Sequence, residues 1–149
     1  MAREPTPTWV FAVVVVRKGD RFLVVHERKH GQRWYLPAGR VEPGESLVAG
    51  ACRETLEETG VPVVIDGILQ VQHTPHPEGT ARLRVLFTAH PEDDRPPKTE
   101  PDDESLEARW VTLDELARLP LRGPEVLGLL TEVAQGAPVF PLSLLTREG

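Results

Sequence analysis

The sequence predicts an α/β domain with a mixed, partly antiparallel sheet and one central helix packed on one side of it. Three observations carry this expectation. Runs rich in β-branched and aromatic residues recur at 9–16, 21–26, 63–72 and 81–90. A single well-capped helical segment lies between the second and third of those long runs. After residue 112 the pattern changes to short helices.

In chain order, WVFAVVVV at 9–16 has the composition of a buried strand. Lys18-Gly19-Asp20 marks a turn, and FLVV within 21–26 resumes the extended pattern, so the two form a hairpin. ERKHGQR at 27–33 is a polar loop that leads into the short segment Trp34-Tyr35-Leu36 and Pro37. Pro43-Gly44 turns the chain, Ser46 is placed to cap a helix running to about Thr59, and Gly60 stands where a helix-terminating glycine belongs. Strands at 63–72 and 81–90 flank the turn PHPEG. PEDDRPPKTEPDDES at 91–105 is proline-rich and acidic, the composition of a long surface loop, and long loops in small domains are often functional. A last strand at 108–111 precedes Thr112-Leu113-Asp114-Glu115, a capping-box start to a helix, and 124–133 supplies another.

At 149 residues the chain reads as one domain spanning 1–149, with 40% hydrophobic and 27% charged residues, ordinary for a globular protein. A net charge of −6 argues against a nonspecific nucleic-acid binder. It also means that a polyanionic substrate would need bridging cations. The one cysteine, Cys52, excludes an internal disulfide and a multi-cysteine zinc site. The start MAREPTPT lacks an export signal, and WVFAVVVV is far shorter than the ~20 apolar residues of a membrane span. A reducing cytoplasm is therefore the expected location.

The central helix contains the run ETLEE. Stepping about 100° per residue from Glu54 puts Glu58 at about 40° and Glu57 at about −60°, so the three share one sector. Val48, Ala49, Cys52 and Leu56 cluster opposite, and an amphipathic helix would turn that side to the core. Like charges at this spacing cost roughly 0.2–0.5 kcal/mol per pair. Only Arg53 lies near them, at about −100°. Gly50 and Ala51, one turn earlier in the same sector, leave room beside the carboxylates. Three oxygen donors on one face suit a hard divalent cation such as magnesium, with manganese as a substitute, because magnesium binds carboxylates and bridges to phosphates.

The same stretch resembles the Nudix box, G-x5-E-x7-R-E-U-x-E-E-x-G-U, where U is a bulky aliphatic. Gly39, Glu45, Arg53, Glu54, Glu57, Glu58, Gly60 and Val61 fall on the pattern, and Thr55 departs from it at the first U position. The preceding WYLPAG is similar to the strand that leads into the box. The resemblance implies a Nudix-type α/β/α sandwich that hydrolyses a nucleoside diphosphate linked to a further group. It implies that Glu54, Glu57 and Glu58 bind metal, with the Gly39 carbonyl as a further ligand, and that Glu45 and Arg53 pair to hold the loop against the helix.

Asp102, Asp103 and Glu104 offer further carboxylates, and Glu104 is the one expected to serve as an extra metal ligand or base. Arg28, Arg40 and Arg84 are the bases expected to meet phosphate, and Trp34 is an aromatic available to a nucleobase, as are Tyr35, Phe87 and Trp110. WYLPAGRVEPGE, DDESLEARW and LPLRGPEVLGLL resemble two Nudix subgroups. One is phosphatase-like and acts on nucleoside di- and triphosphates and a thiamine-precursor pyrophosphate; the other acts on oxidised guanine nucleoside diphosphates. The expected function is magnesium-dependent pyrophosphate hydrolysis on a small nucleotide, by a monomer or homodimer. The rivals are a Nudix-like domain that binds nucleotides as a regulator without cleaving them, and a hydrolase of a non-nucleotide pyrophosphate.

Overall fold

The protein is described over residues 2–149 by a computed structural model. Its elements are β1 (Thr8–Lys18), β2 (Arg21–His26), β3 (Trp34–Tyr35), β4 (Ala38–Arg40), α1 (Leu47–Thr59), β5 (Val63–Pro75), β6 (Ala81–Pro91), β7 (Glu107–Val111), α2 (Leu113–Leu116) and α3 (Glu125–Ala134). A short 3-10 turn, Leu142–Leu144, follows. The sequence pattern anticipates neither that turn nor β4, whose three residues include Gly39 and are too few to show a period.

β1 is the axis of the sheet. It runs parallel to β6 from Thr8↔Ala81 to Val16↔Ala89, and antiparallel to β4 at Phe11↔Arg40 to Val13↔Ala38. The expected β1–β2 hairpin is present, but the two strands pair only at Arg17↔Phe22 and Lys18↔Arg21 before they diverge. β2 then pairs antiparallel with both β3 and β7. β5 pairs antiparallel with β6, with register shifts after Ile65 and Ile68.

The side chains of β1 explain its unbroken valine run. Val13 and Val15 join one core with Phe22, Leu86, Val126 and Leu130, on the side of α2 and α3. Ala12, Val14 and Val16 join the other with Leu23, Ala51, Ile68 and Phe87, on the side of α1. A strand buried on both faces loses the apolar–polar alternation of a half-exposed one, and a parallel neighbour is typical of such a strand.

α1 is capped as its sequence predicts. The Ser46 side chain accepts from the Ala49 N–H, and Gly60 takes a left-handed conformation with its N–H donating to the Leu56 carbonyl. Its buried face differs from the expected one. Gly50, Ala51, Thr55, Glu58 and Thr59 are buried, whereas Ala49 is exposed and Leu56 is 45% exposed. The helix is therefore rotated so that the glutamate sector borders the sheet rather than facing away from it. Small residues let it approach closely, and the two threonines are burial-compatible because the Thr55 hydroxyl donates to the Ala51 carbonyl and the Thr59 hydroxyl to the Thr55 carbonyl. Thr55, the departure from the box pattern, is thus a packed position with a satisfied hydroxyl.

The loop at 91–105 is also more tied down than its composition predicts. Lys98 donates its backbone N–H to the Thr59 carbonyl at 2.8 Å and its ammonium to the Glu57 carbonyl at 2.8 Å. The buried Ser105 hydroxyl donates to the Glu58 carbonyl at 2.6 Å. These bonds satisfy carbonyls at the end of α1 that the helix itself leaves unpaired. Asp102 orders the turn by accepting from the Glu104 and Ser105 N–H groups.

Ser105→Ala removes the side-chain donor that meets this buried carbonyl. The expected cost is about 1–3 kcal/mol in urea unfolding. A change under about 0.5 kcal/mol would mean that the loop is not anchored there.

Candidate functional site

The site begins where β4 meets α1. Gly39, paired with Ala12 of β1, lies so close to Glu54 that a Cβ at this position would overlap the Glu54 carboxylate. The absent side chain lets an acidic group lie directly on the strand backbone. Beside it, Glu58 is 8% exposed, and its Oε1 accepts from the Ala38 N–H at 3.3 Å. Burial raises the Glu58 carboxyl well above the ordinary range, and the neighbouring charge of Glu54 adds to the rise. Glu54 is raised too, chiefly by burial and against the pull of Arg53.

Arg53 organises the remaining acids. Its Nε donates to Glu45 Oε2 at 2.7 Å and one terminal nitrogen donates to Glu45 Oε1 at 2.9 Å, a two-pronged pair across eight residues of sequence. That nitrogen also donates to the Arg40 carbonyl, and the other reaches Glu54 at 2.9 Å and Glu57 at 3.2 Å. The Arg53 hydrogen bonds are the main reason the Glu45 carboxyl falls to about 2. Gly50 belongs to this arrangement: a Cβ there would press on Glu45 Oε1 at 2.9 Å and on Val41 at 3.2 Å. The room at Gly50 and Ala51 is therefore filled by Glu45 and by the core, not left open beside the glutamates.

The donor set suits a hard divalent cation. Only oxygen is offered, Glu54 is seated on the Gly39 backbone, and among the described residues the buried Glu58 carboxyl has one backbone donor and no cationic partner. With Arg53 between Glu54 and Glu57, no three such groups already converge at metal-ligand spacing among the described residues.

Next to this carboxylate shelf lies a cleft of about 210 Å³ lined by Gly39, Ala38, Tyr35, Arg82, Arg84 and Arg122, with Glu27 and His30 at one margin. Arg84 donates to the Tyr35 hydroxyl at 2.7 Å, and Arg122 stacks over the Tyr35 ring at 4.8 Å. Arg122 also donates to Glu27 at 3.2 Å. Tyr35 and Arg84 lead on into a cavity of about 320 Å³ between the sheet and α3, whose polar lining is Gln70, Gln72, Glu125 and Glu132. On the opposite margin, Glu27 and His30 border a second space of about 320 Å³ lined by Arg28, Lys29, Glu58, Asp103 and Glu104.

Of the residues singled out in the sequence, Gly39, Glu45, Arg53, Glu54, Glu57 and Glu58 gather at one locus, Arg84 lines the cleft, and Glu104 lines the space beyond it. Arg28 lines that space too and donates to the Asp102 carbonyl. Arg40 instead lies over the exposed Trp9 ring at 4.7 Å, on the far side of the box loop, in a pocket that shares no base with the cleft. Trp34 is not a free aromatic face: it is 4% exposed, stacked on His26 at 4.6 Å with Arg109 over its ring. Sequence reading missed Glu27, Arg82 and Arg122. The two-residue spacing of Arg82 and Arg84 on a strand was a usable sign, but nothing local marks Glu27 and Arg122, which are 95 residues apart.

A family model described as the NUDIX domain matches residues 6–130. Human "8-oxo-dGDP phosphatase NUDT18" is 35% identical over 130 residues, which is 85% of this chain but 39% of that protein, so the chain spans about two fifths of that relative's length. "Phosphatase NudJ" of Shigella boydii serotype 4 (strain Sb227) is 33% identical over 91% of this chain and 89% of that protein. Among solved structures, a NUDIX hydrolase from Nitrosomonas europaea superposes with a TM-score of 0.78 at 28% identity, covering 95% of this chain and 97% of that one. Among the described residues no helix is long and apolar enough to cross a membrane. With the box residues assembled on β4 and α1 and the match running through nearly the whole fold, the chain belongs to the Nudix hydrolase family.

Proposed function

We propose that this domain hydrolyses the pyrophosphate linkage of a nucleoside di- or triphosphate, with magnesium held by Glu54, Glu57, Glu58 and the Gly39 carbonyl. The observation that carries the reading is the juxtaposition of two opposite surfaces. A shelf of carboxylates, Glu58 buried and Glu54 partly so, directly adjoins a cleft lined by three arginines, and Gly39 belongs to both. Carboxylates alone would repel a polyphosphate, and arginines alone would bind one without cleaving it.

When bound, the cation supplies charge neutralisation at the scissile phosphoryl group and lowers the pKa of a coordinated water. The chain's own residues do the rest. Arg82, Arg84 and Arg122 hold the phosphate beyond the scissile one, and the Tyr35 hydroxyl and ring keep Arg84 and Arg122 turned toward it. Arg53 holds Glu45 against the helix and lies between Glu54 and Glu57, so those two carboxylates must turn from it toward the cation when magnesium binds. Glu104 takes the proton of an attacking water in this reading, which is supported by its lining the same space as Glu58 on the loop anchored through Ser105. Attack on phosphorus then breaks the bridging P–O bond, and a diphosphate yields monophosphate and phosphate. The nucleoside fits the cavity between the sheet and α3, where amide and carboxylate groups can accept from the N–H edge of a base.

The names of the relatives support a nucleotide substrate, since one is called an 8-oxo-dGDP phosphatase. A panel of nucleoside di- and triphosphates and a thiamine-precursor pyrophosphate, assayed with magnesium and with phosphate and pyrophosphate release scored separately, tests the reading. Binding without turnover of any member would replace it with a regulatory nucleotide-binding domain.

Glu58→Gln is expected to cut kcat by roughly 10²-fold or more. The same change should raise the melting temperature of the metal-free protein at neutral pH. The carboxyl's raised pKa makes its charged form unfavourable in the fold, so the wild type loses stability as pH rises from 4.5 through that raised value. A variant that is inactive and also destabilised at neutral pH would contradict this. Arg53→Met should return the Glu45 carboxyl from about 2 toward 4.5 in a carbon-13 NMR titration. Because the folded value is the lower one, the stability lost in this variant should be seen above about pH 4.5 and should vanish as pH falls to about 2.

A further inference from the structure

α3 contains a glycine that nothing inside the protein requires. Gly128 lies in the interior of the helix, where glycine is less stable than alanine because it gives up more backbone freedom on folding. Its backbone is helical, so no left-handed turn calls for it. Packing does not ask for it either: a Cβ at Gly128 would meet no atom within 4 Å. Other glycines differ, since a Cβ at Gly50 would press on Glu45 and one at Gly67 would overlap Val139. Gly128 does border the cavity between the sheet and α3, on its exposed side.

Glu125, Gly128, Leu129 and Glu132 recur at helical spacing, and all four line that cavity. The other face of α3 fixes the helix in place, with Val126 and Leu130 buried in the core. Gln70 and Gln72 of β5 supply a further part of the lining and are already paired, Gln72 Nε2 donating to Gln70 Oε1 at 3.0 Å. Tyr35 and Arg84 join the cavity to the arginine cleft. A side chain at position 128 would therefore grow into open space and take room from whatever binds there. With none present, a flat ring can lie against the helix backbone. Glu125 and Glu132, about one turn to either side, can then accept from N–H groups on its edge.

We propose that Gly128 determines base specificity: its missing side chain gives the cavity the width for a two-ring base, so that purine nucleotides are bound in preference to pyrimidine ones. The account rests on the nucleotide reading above and adds a residue that selects among nucleotides. A one-ring base leaves that width empty and forgoes the contacts made there. None of Glu54, Glu57 and Glu58 lines this cavity, and the two kinds of nucleotide carry the same phosphates, so a bound cation affects both alike. A glycine without a role in binding predicts something different: filling its position would stabilise the helix and leave the preference between bases as it was.

The test compares wild type with Gly128→Ala and Gly128→Leu, both good helix formers. The melting temperature of the ligand-free protein should rise by about 2–4 °C in Gly128→Ala. A fall would show that the glycine serves the fold and would overturn the proposal. Dissociation constants are then measured with magnesium for the α,β-methylene diphosphates of one purine and one pyrimidine nucleoside, and for methylenediphosphonate. Wild type should favour the purine. Gly128→Leu should lower the purine-to-pyrimidine affinity ratio by about tenfold, with Gly128→Ala between, while methylenediphosphonate still binds as to wild type. An unchanged ratio, no purine preference in wild type, or an equal loss for all three probes sinks the idea. So does a wild type that binds neither nucleoside analogue, and retained methylenediphosphonate binding would then point to hydrolysis of a non-nucleotide pyrophosphate. The expected shift in a protein that hydrolyses no nucleotide would uphold Gly128 as the selector and remove the hydrolase reading instead.

Discussion

One guanidinium holds the carboxylate locus together. Arg53 donates to Glu45 with two nitrogens, to Glu54 and Glu57 with the third contact region of its fork, and to the Arg40 carbonyl. Without it, three acids from a loop and a helix would have to share one place in a chain that already carries a net charge of −6. A planar, permanently charged group with fixed donor directions can satisfy several carboxylates at once, which lysine cannot. The loop between β4 and α1, the seating of Gly50 on Glu45 and the direction of Glu54 all follow from where that fork sits.

The helix that carries Arg53 is placed by small side chains rather than large ones. Ala51, Thr55 and Thr59 lie against the sheet, while Leu56 remains largely outside. Close approach turns the glutamate sector inward and makes Glu58 a buried carboxyl with a raised proton affinity. This is an unfavourable arrangement for the metal-free fold, and one that a bound cation would relieve. The fold thus carries a desolvated carboxyl beside the strand at a cost in stability.

Around that locus, the fold brings together segments that are far apart in the chain. Arg82 and Arg84 come from β6, Tyr35 from β3, Glu27 from the end of β2, and Arg122 from the turn between α2 and α3. The turn is fixed in turn by the strand: the Trp34 N–H donates to the Pro120 carbonyl and the Arg122 N–H to the Trp34 carbonyl. Trp34 thus serves as buried support for the turn that brings Arg122 to the cleft, not as a free aromatic face.

By itself, the sequence determined the α/β class, the strands other than β4, the helix with both its caps, and the six box residues that meet at one place. These are legible because they depend on short-range rules: capping chemistry, side-chain period, and a fixed spacing along one loop and one helix. It misled about which side of α1 is buried, because large apolar residues were weighed over small ones and close packing rewards the reverse. It also left Arg40 and Trp34 as equals of Arg84. Only the tertiary structure decided which arginines share a cleft, that the acidic loop is tied to the end of α1 through Lys98 and Ser105, and that Glu27 borders two adjoining spaces. Those facts depend on strand pairing and register across the whole chain, and a contact between Glu27 and Arg122 leaves no periodic trace in the residues near either one.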